Sequence, residues 1–147
     1  MLKRTDEDYM RLALQEAEAA FDKNEVPVGA VIVCKDVVIA KTHNLTERLN
    51  DFTAHAEIQA FTSASEFLGN KYLNECTIYI TLEPCVMCAG AAFWTRVKRI
   101  VYGAKDEKRG YHLYSQNILH PTTEIVGGVL AEESSKLLKA FFGKKRK

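Results

Sequence analysis

The amino-acid sequence predicts an α/β protein in which helices cover both faces of a central mixed sheet of about five strands, a three-layer α/β/α sandwich. Three observations predict this fold class. Stretches with helical spacing of apolar residues alternate with short apolar runs that are typical of strands. The length of 147 residues suits one hydrophobic core, so residues 1–147 are predicted to form a single domain. The composition, 47% hydrophobic and 27% charged, is ordinary for a globular protein.

The first part of the chain predicts a helix followed by a β-hairpin. Apolar residues recur with the helical period over 6–22, and Asp6 is expected to cap the start of this helix. The segments 26–34 (VPVGAVIVC) and 37–44 (VVIAKTHN) have the apolar, β-branched character of strands. Only residues 35–36 separate them, which predicts a tight hairpin.

The middle of the chain predicts a helix, a strand and a second helix. The first of these helices is expected to begin at Thr53, as its cap, and to end before Gly69. The run TIYITL at 77–82 predicts a third strand, and a helix is expected from Pro84, in its first turn, to about Thr95. Because both helices follow strands, their starts should meet at one edge of the sheet, where open α/β sheets bind ligands.

The last part of the chain predicts two strands and a closing helix. The run RIVYGA at 99–104 predicts a fourth strand, and residues 106–122 are expected to be irregular with a short helical turn. The segment 123–129 (TEIVGGV) predicts a fifth strand, and 131–145 predicts the last helix.

Charge and hydropathy limit the function. The net charge of +1 argues against binding by gross electrostatic attraction, but the chain ends in GKKRK, which is either a solvated end or a local phosphate-binding patch. Apolar runs are too short to span a bilayer, so no membrane association is expected. The first residues lack the apolar core of a signal peptide, which predicts a cytoplasmic location.

Two of the four cysteines have the spacing of metal ligands. Cys34 and Cys76 lie in strand-like runs and are interpreted as small core residues. Cys85 and Cys88 are three positions apart after a proline, so both thiols face one side of one helical turn. Such a pair by itself is also compatible with a redox motif or with packing.

His55 supplies a third candidate ligand, because it lies at the start of the other helix at the same sheet edge. Two thiolates and one imidazole are the donors that zinc prefers, and three protein ligands leave a fourth position open, as in catalytic zinc sites. Zinc carrying two thiolates is about neutral and acidifies water less than zinc bound to three histidines. A nearby base should therefore help to remove the proton, and Glu57 is placed to do so.

The sequence also resembles a known family. His55-Ala56-Glu57 followed by Pro84-Cys85-Val86-Met87-Cys88 matches the signature of zinc-dependent nucleobase deaminases. The segments NEVPVGAVIV, DFTAHAEIQA, TLEPCVMCAGA, RIVYGAKD and EIVGGVLAEE extend the match over nearly the whole chain. Together they are similar to the bacterial tRNA-specific adenosine deaminases of the cytidine/deoxycytidylate deaminase superfamily.

This resemblance implies a function and a set of site residues. It implies a cytidine-deaminase-like fold, a homodimer, and hydrolytic conversion of adenosine to inosine at the wobble position of a tRNA anticodon stem-loop. Zinc-activated water would act with Glu57 as proton shuttle, and one Zn²⁺ per chain would be bound by His55, Cys85 and Cys88. The resemblance also implies substrate-binding positions: Asn44 at the base edge, and Val28, Ala56, Leu82, Glu83 and Pro84 around the pocket. Asn44 alternatively reads as a turn residue after the second strand.

Two positions differ from the family pattern and keep other functions open. Phe52 stands where a proline is usual, and Trp94 stands where a histidine is usual. Because guanine deaminases often carry tryptophan at the second position, a free nucleobase deaminase acting on guanine or cytosine is the alternative function. Trp94 is alternatively expected to fill the core or a dimer interface. A non-catalytic zinc module that binds RNA is a third class, and Glu57 argues against it because a structural zinc needs no adjacent carboxylate.

Overall fold

The computed structural model describes residues 3–145, and within them five strands form one mixed sheet. The strands are β1 (Gly29–Cys34), β2 (Val37–His43), β3 (Cys76–Leu82), β4 (Arg99–Ala104) and β5 (Glu124–Val126). Their spatial order is β2-β1-β3-β4-β5. β1 is antiparallel to β2 and to β3, whereas β3, β4 and β5 are parallel to one another. The predicted mixed sheet of about five strands is confirmed.

Four α-helices pack on this sheet within residues 3–145. They are α1 (Asp6–Asp22), α2 (Ala56–Leu68), α3 (Val86–Thr95) and α4 (Ala131–Lys145), and a single 3₁₀ turn, η1 (Tyr111–Leu113), interrupts the connection after β4. One core contains apolar residues of β1, β3, α2 and α3, and a second contains residues of α1, β1, β3 and β4 on the other side of the sheet. Phe141 of α4 is buried and contacts Phe21 of α1 edge to face. This arrangement confirms the three layers.

Local chemistry explains several element boundaries. Lys35 and Asp36 both have positive φ, 51° and 65°, as the two central residues of a type I′ hairpin turn require. Gly69 ends α2 in the left-handed conformation with φ 64°. Cys76 is buried and Cys34, its register partner on β1, is half-buried, in line with their interpretation as core residues.

The predicted caps of the first two helices are wrong, although the first helix begins at Asp6 as predicted. Thr5, rather than Asp6, caps α1, because its side chain accepts from Asp8 N–H while the Asp8 carboxylate accepts from Thr5 N–H. Thr53 does not cap α2, whose N-cap is His55. The Thr53 hydroxyl instead donates to the Asp51 carboxylate.

Two further boundaries differ from the predicted ones. α3 begins at Val86 with Cys85 as its N-cap, so Pro84 precedes the helix instead of occupying its first turn. The fifth strand is limited to Glu124–Val126 within the predicted 123–129. It ends there because Gly128 turns the chain with φ 88°.

No helix within residues 3–145 has both the length and the apolar character needed to cross a bilayer.

Replacing Gly29 with alanine is expected to lower the free energy of unfolding by about 2 kcal/mol or more. Gly29 lies where β1 meets α1, and a Cβ there would overlap the Ala13 carbonyl oxygen and lie 2.6 Å from the Ala17 nitrogen. Backbone atoms of a helix cannot move aside cheaply. Chemical denaturation measures the change. Gly143→Ala is the matched control, since nothing lies within 4 Å of that position, and an equal loss in both variants would contradict this close approach.

Candidate active site

One edge of the sheet brings together every predicted ligand. β3 ends at Leu82 and leads through Glu83 and Pro84 to the start of α3, while β2 ends at His43 and leads through residues 44–54 to the start of α2. The strands β2 and β3 run in the same direction, because each is antiparallel to β1. The starts of α2 and α3 therefore meet at this edge, as predicted.

The residues His55, Cys85 and Cys88 converge on one point. Their ligand atoms all lie within 4.8 Å of one another. Among the histidine, cysteine and acidic side chains of residues 3–145, these three are the ones close enough together to bind one metal ion. The His55 Nδ1 atom lies 3.7 Å from Cys85 Sγ and 3.5 Å from Cys88 Sγ. His55 and Cys85 are the N-caps of their helices, and neither makes a side-chain capping bond. Their polar atoms are thus free to face a common centre.

The spacing of these atoms fits a tetrahedral metal ion. Bonds of about 2.3 Å to sulfur and 2.0–2.1 Å to nitrogen, at a tetrahedral angle, place sulfur and nitrogen about 3.6 Å apart. The two measured distances of 3.7 and 3.5 Å lie on either side of this value. Two thiols and one imidazole are also the donor set that zinc prefers. The residues therefore fit a metal centre with three protein ligands.

The two thiols have different pKa values. Cys88 donates a hydrogen bond to Cys85, and this bond together with His55 lowers the pKa of Cys85 to about 4. The same contact, followed by burial, raises the pKa of Cys88 far above its ordinary value. His55 has a raised pKa because of its contact with Cys85. Because metals bind the thiolate, a cation bound here would favour the ionised form of both cysteines.

Glu57 lies in the first turn of α2, next to the His-Cys-Cys group. Its side chain lines a cavity of about 280 Å³ together with His55 and Cys85, and only 4% of its surface is exposed. Burial raises the pKa of Glu57 to about 7. A carboxyl group in such surroundings can both accept and release a proton near neutral pH.

The same cavity is bordered by most of the predicted substrate-binding residues. Val28, Asn44, Leu82 and Glu83 line it. Ala56 and Pro84 are buried and are not among its lining residues. A larger cleft, of about 680 Å³, lies at the opposite edge of the sheet around Asp6 and Arg99. That cleft is remote from the converging thiols, so the smaller cavity is the candidate site.

Asn44 braces the start of α2. Its Oδ1 atom accepts a hydrogen bond from the Ala56 N–H at 2.8 Å, and Thr42 donates to the Ala56 carbonyl at 2.7 Å. Asn44 is therefore more than a turn residue after β2. With Oδ1 committed to the helix, the Nδ2 amine is the group left to meet a ligand in the cavity.

Sequence reasoning noted Phe52 only as a departure from the family pattern and missed the other residues around the cavity mouth. Asp106 and Arg109 follow β4 and line one side, and Phe52, 91% exposed, lines the other. The buried Glu25 accepts from the Glu47 and Arg48 amides at 3.0 and 2.7 Å and so fixes the turn on the Phe52 side. Glu25 is an acid within an apolar stretch, which is a detectable signal. The Arg109 position carries no such signal.

The mixed sheet and the His-Cys-Cys group beside a buried glutamate together define a class, the nucleobase deaminases of cytidine-deaminase-like fold. A model of the MafB19-like deaminase family matches residues 4–146. The chain belongs to this family.

Individual relatives agree with this assignment. The tRNA-specific adenosine deaminase of Agrobacterium fabrum is 43% identical, over 99% of this chain and 98% of its own length. A structure from studies of A-to-I editing by tRNA:A34 deaminases at the wobble position matches with a TM-score of 0.83 and 43% identity, covering 88% of this chain and 98% of that one. A guanine deaminase from Bacillus subtilis matches with a TM-score of 0.67 and 36% identity, covering 69% and 66%.

Proposed function

We propose that this chain hydrolytically deaminates adenosine to inosine at the wobble position of a tRNA anticodon, acting as one deaminase unit in the cytoplasm. The observation that carries the proposal is the convergence of His55, Cys85 and Cys88 beside the buried Glu57. The substrate class comes from relatives, because the chain is 43% identical over its length to a tRNA-specific adenosine deaminase. An anticodon loop suits the small cavity, since its bases can be splayed out without opening a duplex.

In this proposal one Zn²⁺ is held by His55, Cys85 and Cys88. Zinc in such a site supplies a water of lowered pKa, ready to act as nucleophile at neutral pH. The donor set and the sulfur–nitrogen distances of 3.5 and 3.7 Å support zinc over harder ions, which prefer oxygen ligands.

Glu57 moves the protons of the reaction. Its carboxylate takes a proton from the attacking water, whose oxygen bonds to C6 of the adenine. The protonated Glu57 then gives that proton to the ring nitrogen N1. The second proton of the water passes through Glu57 to the amino group on C6, the C6–N bond breaks and ammonia leaves. Burial suits Glu57 to this exchange, because it brings the protonated and ionised forms close in free energy.

The remaining cavity residues would orient the base. Asn44 Nδ2 is proposed to donate to the base edge, while its Oδ1 stays bound to Ala56. Val28 and Leu82 would form apolar walls, and the backbone of Ala56 and of Glu83–Pro84 would set the depth of the pocket. Phe52 and Arg109 at the mouth suit contacts with the neighbouring nucleotides, through stacking and through phosphate binding.

A direct substrate comparison tests this function. Purified protein is incubated in parallel with an adenosine-containing anticodon stem-loop, free guanine, free adenine and free cytosine. Inosine formed in the RNA, with the free bases unchanged, is the expected result. Turnover of a free base without turnover of the RNA would refute the proposal.

Guanine deamination is the second candidate. The exposed Trp94 and the 36% identity to a guanine deaminase over part of the chain favour it. Xanthine released from free guanine in the experiment above would support this candidate.

We further propose that the protein is a homodimer formed through the outer face of α3. One side of this helix carries Met87, Gly90, Ala91 and Trp94. Trp94 is 75% exposed, so it does not fill the core of the single chain. A contiguous apolar face of this kind is typical of an interface.

Replacing Trp94 with lysine is expected to convert the dimer to a monomer. A charge placed within an apolar interface loses its hydration without a partner. Sedimentation velocity measures the change, with Phe67→Lys, at an exposed aromatic residue of α2, as the control. A monomeric unsubstituted protein, or an unaltered dimer after Trp94→Lys, would contradict the proposed interface.

Deleting Gly143–Lys147 is expected to weaken RNA binding and to flatten its salt dependence. The deleted residues carry four cations, and each phosphate that they no longer neutralise reduces the slope of log K against log salt by about 0.7 for single-stranded RNA. Residues 146–147 lie outside the described part of the chain. Binding to the stem-loop is measured at several salt concentrations. Lys35→Ala, at the opposite sheet edge, is the control, and an unchanged slope after the deletion would show that the tail is only a solvated end.

A further inference from the structure

Glu83 follows β3 directly and adjoins the proposed base pocket, yet its carboxylate serves another part of the chain. Its side chain is fully buried. Oε1 accepts from the Asp106 N–H and Oε2 accepts from the His112 N–H, both at 3.1 Å. The His112 ring nitrogen Nδ1 lies 2.6 Å from Oε2 and 2.8 Å from Oε1. Both oxygens are therefore occupied by the segment 106–112.

This segment forms the Arg109 side of the cavity mouth. Asp106 and Arg109 line the cavity. The Asp106 Oδ1 atom accepts from the Lys108 and Arg109 amides, both at 3.0 Å, so the position of Arg109 depends on that of Asp106. Glu83 in turn fixes Asp106, because its carboxylate accepts a hydrogen bond from the Asp106 N–H. A chain of hydrogen bonds thus runs from the end of β3 to the rim of the pocket.

The fit between Glu83 and this segment is tight. A Cβ atom on Gly110 would lie 2.5 Å from Glu83 Cδ and 2.6 Å from the Asp106 carbonyl oxygen. Gly110 also pairs with Cys85 through an isolated bridge, and Tyr111 N–H donates to the Pro84 carbonyl at 3.0 Å. The segment therefore docks against the same few residues that carry the metal ligand Cys85.

We propose that Glu83 is a positioning residue of the deaminase site, which holds segment 106–112 so that Asp106 and Arg109 meet the nucleotides flanking the target base. This inference rests on the proposed function. It differs from a substrate-binding role for the Glu83 carboxylate, because both of its oxygens are already bound within the protein. The Glu83 carboxylate acts on the substrate only through the rim segment.

Glu83→Gln tests the proposal with almost no change in volume. A carboxamide has one oxygen acceptor, so its NH₂ group must face either the Asp106 or the His112 N–H, and one buried donor loses its partner. We expect KM for the anticodon stem-loop to rise at least about tenfold, kcat to change by less than about threefold, and zinc to stay at one per chain. Glu107→Gln is the matched control, because it removes the same charge from an exposed side chain of the same segment.

Hydrogen–deuterium exchange supplies a readout that is independent of activity. In Glu83→Gln the amides of 106–112 are expected to exchange faster, while peptides covering the starts of α2 and α3 keep their protection. Gly110→Ala should likewise speed the exchange of 106–112 and leave the starts of α2 and α3 protected, because the added methyl group displaces the segment from Glu83. His112→Ala removes the ring but keeps the hydrogen bonds from the Asp106 and His112 N–H groups to Glu83. It should raise KM less than Glu83→Gln does, and it preserves the test if Glu83→Gln does not fold.

Three results would overturn the inference. The first is an unchanged KM in Glu83→Gln, and the second is unaltered exchange of 106–112. The third is a fall in kcat that parallels loss of zinc at constant KM, because Glu83 would then be a purely structural residue. Failure of the proposed function gives a different result, because unsubstituted protein would then leave the stem-loop unconverted. In that case the exchange of 106–112 still decides whether Glu83 holds the segment.

Discussion

Replacing Glu57 with alanine is expected to abolish measurable deamination while zinc remains bound at one per chain. Proton transfer by a positioned side chain contributes about 10²–10⁴-fold to such reactions, and this reaction needs proton transfer to both N1 and the leaving group. Glu57 is not one of the three converging ligands, so its removal leaves the metal site intact. Steady-state inosine formation and metal content are measured on the same preparation.

Two further variants make this result specific to Glu57. Glu57→Gln keeps the side-chain volume but cannot accept and release a proton, and it should lose as much activity as the alanine variant. Glu66→Gln changes an exposed glutamate of the same helix and should be fully active. Activity near the unsubstituted level in Glu57→Gln would remove this residue from the mechanism.

Replacing Cys88 with serine is expected to remove the metal and, with it, the activity. Cys88 is 1% exposed and its sulfur lies 3.5 Å from His55 Nδ1, so no other side chain can take its place without moving the start of α3. A neutral hydroxyl is a poor ligand for a site built on thiolate. The free energy of unfolding should also fall on the order of 3 kcal/mol, the stabilisation that a ligand at about 100 times its Kd provides.

Metal content by elemental analysis and unfolding by denaturant measure these two effects. Cys34→Ser is the matched control, since Cys34 lies at the far end of β1 and is remote from the converging ligands. It should retain one zinc per chain. A Cys88→Ser protein that holds a full equivalent of zinc would show that the metal is bound elsewhere.

The convergence of His55, Cys85 and Cys88 could be predicted because it follows from the order of the elements. Cys85 and Cys88 lie three positions apart at the start of α3, and His55 directly precedes the other helix that follows a strand in the same direction. Parallel strands end at one edge, so the three side chains had to meet there. The structure adds that His55 and Cys85 are themselves the helix caps, which no spacing in the sequence indicates.

The start of α2 was predicted wrongly because a tertiary contact decides it. Thr53 is a good capping residue on local grounds. However, Thr42 and Asn44 of the β2 end bind the carbonyl and the amide of Ala56, and these bonds set where the helix begins. At α1 both Thr5 and Asp6 are suitable caps on local grounds. Thr5 is the cap because it exchanges two hydrogen bonds with Asp8, one through each side chain.

The roles of Glu25 and Glu83 were beyond sequence reasoning for a related reason. Glu25 and Glu83 bind backbone amides 22 to 29 positions away. Backbone amides are present at almost every position, so the sequence carries no signal for such a partner. The residues that shape the mouth of the pocket therefore emerge only from the folded chain.

Zinc K-edge X-ray absorption of the purified protein tests the central claim, a metal ion with three protein ligands and an open position. The predicted first shell contains two sulfur atoms at about 2.3 Å and two lighter atoms at about 2.0–2.1 Å, with scattering from a single imidazole. The second light atom would be solvent oxygen. Protein without zinc, or a shell of four protein ligands with a third sulfur or a second imidazole, would contradict the account.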